Sequence, residues 1–555
     1  MTLAVPDALV EARRCRLAGR LAEAEALCRQ VLEIEPANAL AHQNMGLVLF
    51  EAGRYEDALV SLGKALQNDP ASHHVYNAIG AAHQKLGRLP EAIAGYETAL
   101  RLNKDFVDAY SNLGVALLES DGTHAAAAVL REGLRLAPDR PNLHSNMAVV
   151  LTKARRPDEA EVHLREAVRL DPNYVEAHKN LAVVLIQQAR PLEALRHFEI
   201  ALRLQPESPR AHFDLALTLL ALGRYAEGWR EAEWRWQVPS LALVKRPFEE
   251  PQWKGEEISR KTLMLYGEQG FGDILQFSRY VPLAAARAKR LSVEAPPALE
   301  RLFRLSFARD NIRIVPLATN FPGVAGLPKC DYSAPLLSLP LAFGTTLETI
   351  PAESPYLAAD AAEIAAWSRR LAELPQPRVG LVWAGAAANP RDRERSIALA
   401  RLAPLAEVEG VAFISLQKDA TAAQAAAPPP RMKLHDFTAE LADFAATAAL
   451  ISALDLVISV DTAVVHLAGA LGKPVWLLNP FETDWRWLIG RDDSPWYPRL
   501  RILRQPRLDD WDSVIARVRD ELRHFAQASA GRPAKRGMRQ RIHALRKRPS
   551  SAGRG

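Results

Sequence analysis

The chain has 555 residues, 48% of them hydrophobic and 24% charged, which excludes a disordered or fibrous protein. One core does not serve that length, so about two to four domains are expected. The net charge of +5 sits at one end: nine basic and no acidic residues fall in 531–555, and subtracting nine from +5 leaves −4 elsewhere, which excludes a basic nucleic-acid-binding body.

The first ten residues lack a basic region followed by an apolar run, so no signal peptide is expected. The longest apolar stretch, Ala445 to Val460, is short for a membrane span and contains Asp455; it reads as a buried helix followed by a strand, with no transmembrane segment. Cys15, Cys28 and Cys330 have no metal-type spacing, which suits a reducing, cytoplasmic location.

From the N-terminus, Pro36, Pro70, Pro138, Pro172 and Pro206 fall on one 34-residue grid, with Lys104 in the skipped place. Small residues keep the same register: Gly46, Gly80, Gly114, Ala148, Ala182 and Ala216 in one series, and Ala24, Ala58, Ala92, Ala126, Ala160 and Ala194 in another. Such residues let two helices of a hairpin approach closely, and proline ends each second helix. The pattern resembles the tetratricopeptide repeat, with six units from about Val5 to Ser208. A seventh, aberrant unit with Trp229, Trp234 and Trp236 suits a last helix that covers the stack and packs against another domain.

Asn44, Asn112, Asn146 and Asn180 share the grid, with Asp214 next on it and Ala78 as the gap. The row resembles the asparagine ladder of protein O-linked N-acetylglucosamine transferases, whose repeats line a concave face. A row of amides there can pair with both N–H and C=O groups of an extended peptide; equally, it can bond between neighbouring repeats and only stabilise the stack.

After a linker at 243–260, apolar runs alternate with helical stretches, which predicts parallel sheets covered by helices. Strands are expected at Thr262–Tyr266, Leu291–Ala295 and Ile312–Leu317, and again at Val379–Trp383, Val411–Leu416, Leu456–Val460 and Val475–Leu478. The implied organisation is a repeat superhelix over 1–242, one Rossmann-like half with a bridging helix over 261–376, a second half over 377–528, and a basic disordered tail over 529–555. Tandem halves suggest a cleft faced by the C-terminal ends of their strands.

Three stretches are more specific. Gly267-Glu-Gln-Gly-Phe-Gly-Asp-Ile-Leu-Gln-Phe277 resembles the first-strand loop of family 9 glycosyltransferases, the lipopolysaccharide heptosyltransferase group. Asp461-Thr-Ala-Val-Val-His-Leu-Ala468 resembles the second signature of that family, and Val379-Gly-Leu-Val-Trp-Ala-Gly385 the start of its second half. The resemblance implies a GT-B fold, a nucleotide-sugar donor, inversion, and no required metal or other cofactor. It also implies that Asp273 is the base that deprotonates the acceptor; alternatively Asp273 only stabilises a helix start.

Around that centre, Gly270 and Gly272 suit a tight turn with close ligand approach, and Gln276, one helical turn on, faces either cleft or solvent. Within Asn389-Pro-Arg-Asp-Arg-Glu-Arg-Ser396, Arg395 and Ser396 are phosphate candidates, ahead of Arg391 and Arg393; a solvated charge run is the other reading. N–H groups from Thr462 onward could cradle phosphate, with Asp461 on sugar or ribose hydroxyls or serving as a helix cap. His466 either reaches the diphosphate or is a buried core histidine, and Gln417 and Lys418 end a strand near the nucleotide. Trp485, Trp487 and Trp496 read as cleft wall, and Asp510-Trp-Asp512 as a helix cap.

The reading is an enzyme that glycosylates a protein or peptide held in the repeat groove. A scaffold with a non-catalytic nucleotide-sugar domain, and a glycan or lipid-precursor transferase whose repeats recruit a partner, are the alternatives.

Overall fold

Six consecutive helix pairs, from Val5–Leu17 with Leu21–Ile34 to Val175–Gln187 with Pro191–Leu204, form the solenoid that the grid predicts. The computed structural model describes residues 4–243, 245–317, 327–387, 389 and 391–530; the basic tail, expected at 529–555, lies outside them from 531 onward. The small residues sit where paired helices touch. Ala24, Ala58, Ala92, Ala126, Ala160 and Ala194 are fully buried, and a Cβ on Gly95 would fall 3.0 Å from the Gly80 Cα.

Each second helix ends two residues before the proline position. The residue preceding proline is pushed out of helical geometry, as at Glu35 with φ −127°. Asn103, before Lys104, adopts the same extended conformation with φ −139°, so the repeat geometry survives loss of the proline.

The chain divides between Ser208 and Pro209. The seventh hairpin, Pro209–Ala221 and Tyr225–Ala232 with a 3-10 extension Glu233–Gln237, therefore falls in the second unit, ahead of the boundary at 242 read from sequence. The cause is its aromatic face: Tyr225 and Trp229 are buried in the core of that second unit.

Two parallel sheets build the second unit. The first contains β1 (Ile258–Tyr266), β2 (Ala288–Ala295), β3 (Ile312–Pro316) and β4 (Tyr332–Pro335), in the order β3-β2-β1-β4. The second contains β5 (Arg378–Val382), β6 (Ala412–Ser415), β7 (Leu434–Asp436), β8 (Leu456–Val460), β9 (Val475–Asn479) and β10 (Leu500–Arg504), in the order β10-β9-β8-β5-β6-β7. The expected helix between the halves spans Ala361–Arg370. Strand order reverses beside β1 and beside β5, the places where crevices open outside strand C-termini.

Strands β4, β7 and β10 lack a sequence signal of their own. β4 and β7 have four and three residues, and in the edge strand β10, Leu500–Arg504, Arg501 and Arg504 break up the apolar residues without a regular alternation. Among the described residues, no helix is long and apolar enough to cross a membrane.

Candidate functional site

Loops following β1, β5, β6, β8 and β9 line one cleft of 670 Å³ in the second unit. Asp273, Arg395, Lys418, Asp461, Thr462 and His466 all reach it, with Gly270 and Gly272. Residues from both sheets thus meet at one place.

After β1 the chain turns through Gly267–Gly270 into the helix Phe271–Phe277, which places Asp273 in its first turn. Gly270 has φ −66°, so its conformation does not require glycine; what its missing side chain leaves is space beside Asp273. Gly272 is small for another reason than a ligand: a Cβ there would lie 3.0 Å from the His466 ring.

The central cation was missed in the sequence. Arg486, from the loop after β9, forms an ion pair with Asp273, a second with Asp484 at 2.9 Å, and donates from Nε to Gln276 Oε1 at 2.7 Å. Its signal was an arginine set between Trp485 and Trp487 just past a strand of the second sheet, where the tryptophans drew the reading towards wall packing. They are core rather than cleft wall: Trp485, Trp487 and Trp496 are buried in the hydrophobic cluster of the second unit, and the residues lining the cleft include none of them.

Burial raises the Asp273 carboxyl above its ordinary value, against the pull of Arg486. Asp484 is likewise pushed up by burial, but Arg486 outweighs this and holds it below the usual range. Burial and the Asp484 charge push Asp461 up to about 6. Asp461 caps no helix. Its Oδ2 accepts from Trp487 Nε1 at 3.0 Å and its backbone oxygen from Arg395 Nη1 at 2.7 Å.

Thr462 precedes the helix Ala463–Ala470, and Thr462, Ala463 and Val464, the residues that open it, line the cleft. His466 is both buried and at the cleft, its Nδ1 lying 2.8 Å from the Tyr497 hydroxyl; burial and the Arg486 charge lower it to about 3, so it is neutral.

Other expected residues sit differently. Gln276 faces neither cleft nor solvent: it is 0% exposed and ties Arg486 from behind. The Ser396 hydroxyl accepts from the Gly385 N–H at 2.9 Å and donates to Asp392 at 2.9 Å, bracing the loop after β5 instead of offering itself to phosphate. Lys418 borders the cleft with its ammonium turned to Thr438 O at 2.8 Å and Leu441 O at 3.0 Å. Gln417 binds the Trp383 and Ala384 N–H groups, both at 3.0 Å, and so fixes the strand ends. Arg391 pairs with Glu394, and Arg393 is exposed. Asp510 accepts from the Ser513 N–H at 3.2 Å, as a helix cap does.

In the first unit, Asn112 donates to Asn77, Asn146 to Ser111 and Asn180 to Ser145, at 3.0, 2.9 and 3.1 Å. Asn44 is buried. These contacts join neighbouring repeats. Asp214, the last of the row, lies in the second unit and accepts from Arg210 at 2.7 Å. Among the described residues, no group of three or more His, Cys, Asp or Glu is arranged to hold a metal ion.

Tetratricopeptide repeat families match residues 16–86, 85–121, 146–194 and 180–232. Glycosyltransferase family 9 (heptosyltransferase) matches residues 399–478. Protein FlbA of Caulobacter vibrioides is 29% identical over 328 residues, which are 54% of this chain and 52% of that protein, so the chain spans about half the length of the curated relative it matches.

Solved structures similar to parts of the chain include tetratricopeptide repeat proteins. TTC0263 of Thermus thermophilus is 25% identical, covering 33% of this chain and 99% of its own, with a TM-score of 0.30. A protein of Parabacteroides merdae is 17% identical, covering 41% and 92%, with a TM-score of 0.35. YrrB, described as having an unusual peptide-binding site, is 22% identical, covering 33% and 95%, with a TM-score of 0.27.

Proposed function

We propose, for a chain that carries tetratricopeptide repeats and a family 9 glycosyltransferase domain, that it moves a sugar from a nucleotide-sugar donor to a hydroxyl of a protein or peptide engaged by the repeats. Transfer proceeds with inversion and without a metal ion. The observation that carries this reading is the meeting of Asp273, from the loop after β1, with Arg486, Asp461 and Thr462 from the second sheet, in one cleft.

In the reaction the acceptor oxygen bonds to the anomeric carbon, the bond from that carbon to the diphosphate oxygen breaks, and the hydroxyl proton passes to Asp273. A carboxyl raised by burial holds that proton better than an exposed one. The departing diphosphate needs fixed donors in a dry site, which Arg486, Arg395 and the N–H groups opening the helix Ala463–Ala470 supply. A bound diphosphate competes with Asp273 for Arg486, so donor arrival frees the carboxylate to act.

The asparagine row favours a second reading for the repeats alone. Its amide donors are already engaged with neighbouring repeats, which suits repeats that recruit a partner while the acceptor is a glycan or lipid precursor.

The test combines binding and turnover. A panel of nucleotide sugars is screened by thermal shift, since a ligand of the native state raises apparent stability. With the donor so found, Asp273→Asn is expected to cut nucleoside-diphosphate release by about 10²–10⁴-fold while keeping the donor-induced shift. Unchanged turnover removes Asp273 from the role of base.

A further inference from the structure

The two loops that supply Asp273 and Arg486, 267–273 and 484–488, are fastened to the same neighbour. That neighbour is the seventh hairpin with its 3-10 extension, 209–237.

The first fastening is a buried ion pair. Arg235, 2% exposed, directs Nε and Nη2 to one oxygen of Glu268, Oε1, at 2.9 and 2.8 Å. Its remaining N–H groups meet Glu233 Oε1 at 2.6 Å, Ser338 Oγ at 2.9 Å and Ala232 O at 3.1 Å. Glu268 directly follows Gly267, on the stretch that leads to Asp273. Its second oxygen is buried with no partner among the described residues, so Arg235 is what fixes this carboxylate's direction.

The second fastening is on the other loop. The Ile489 N–H donates to Ala221 O, a carbonyl at the end of the helix Pro209–Ala221, at 3.2 Å. Trp229 meets Trp485 edge-on, 5.3 Å between ring centroids, and Trp485 immediately precedes Arg486. Trp496 Nε1 donates to the Tyr225 hydroxyl at 3.1 Å. Leu488 stands at φ 50°, a region that costs a leucine and persists where the flanks are held.

We propose that the hairpin 209–237 is a positioning part of the site: Arg235 orients the Asp273 loop through Glu268, and Ala221 and Trp229 orient the Arg486 loop, so that the two side chains meet in register. Its effect on turnover rests on the reading of Asp273 and Arg486 given above; its geometry does not. Misplacing reacting groups by about 1 Å costs on the order of 100-fold in rate, so these remote residues act on kcat.

The test uses the full chain. Replacing buried ionic partners with neutral groups of similar volume is often near neutral for stability, so Arg235→Met with Glu268→Gln and Glu233→Gln removes the fastening without leaving either carboxylate unpaired. In that triple variant, amide hydrogen exchange across 267–275 is expected to rise by about tenfold, while the helix Trp511–Ala530 is unchanged. Trp229→Leu is expected to raise exchange across 484–490 in the same way. In both variants kcat per folded molecule falls by about 10- to 100-fold with the donor KM within about twofold; loss of folded protein also lowers the rate at constant KM, so the rate is normalised to the folded fraction measured by circular dichroism. Unchanged exchange at both loops overturns the inference, as does faster exchange with unaltered kcat. Should the parent chain turn over no nucleotide sugar, the proposed function fails, and the exchange data still decide the positioning role.

Discussion

The two units of the chain make their polar contacts over very different spans of sequence. In the solenoid, partners lie about one repeat apart: Arg88 with Glu56 and Arg140 with Asp108 are 32 residues apart, and Asn112 with Asn77 is 35. In the second unit the site is made by Arg486 reaching back 213 residues to Asp273 and 210 to Gln276. A repeat unit therefore finds its partners in the adjacent repeat and tolerates local damage, whereas the site depends on a few contacts that join distant loops.

The largest expected effect breaks the long-range side. Arg486→Met leaves Asp273 and Asp484 buried without their cation, which is expected to cost about 3–5 kcal/mol in unfolding free energy. The cost depends on pH with a definite sign. Asp484, which burial pushes up but Arg486 holds below its usual range, contributes stability that is complete above its unfolded value and is lost as pH falls through its folded value. The gap between variant and parent is thus widest near about pH 7 and narrows towards about pH 3, as the orphaned carboxylates take up protons. A gap that stays constant across that range contradicts the ion-pair account; denaturant titrations at several pH values measure it.

That contrast in range also explains what the sequence disclosed. A 34-residue spacing repeats its signal, so Gly46, Ala58 and Pro36 identified the helix pairs before any contact was known. The strands with continuous apolar runs, β1, β5 and β8, were equally plain. Strands β4, β7 and β10 were not, because β4 and β7 are only four and three residues long and arginines interrupt the apolar residues of β10. Asp273, Asp461 and Thr462 were legible from their place at loop-to-helix turns. Arg486 was not, because its importance lies in two carboxylates, one of them more than two hundred residues away. Ser396 and Gln276 were misjudged for the reverse reason: each has the right chemistry near the right loop, yet the Ser396 hydroxyl is engaged by Gly385 and Asp392, and Gln276 is fully buried with its oxygen on Arg486.

A smaller effect should stay inside one repeat. At Gly95 an added Cβ meets the Gly80 Cα and N at 3.0 Å and Tyr76 O at 3.1 Å, all backbone atoms that cannot rotate away. Gly95→Val is expected to destabilise the solenoid by about 1–3 kcal/mol, visible as lost helical circular dichroism at lower temperature. The donor-induced thermal shift of the second unit should not change. A parallel fall in that shift would show the damage spreading beyond the repeat, and the comparison of the two units would break.

The smallest effect sharpens the comparison at the asparagine row. Asn112→Ala with Asn146→Ala removes two side-chain bonds between repeats, worth about 1 kcal/mol each. If the row only joins repeats, the double variant loses about that much stability and its acceptor KM is unaltered. If the row also holds an extended acceptor, KM rises several-fold at saturating donor while nucleoside-diphosphate release without acceptor stays the same. The amides have capacity for both: each Asn donates through one nitrogen to its neighbour and retains a carbonyl oxygen able to accept from a peptide N–H. A stack braced by the same groups that receive the peptide would be pre-ordered for it, so the stability loss and the KM rise should then appear together in each single variant and grow in the pair.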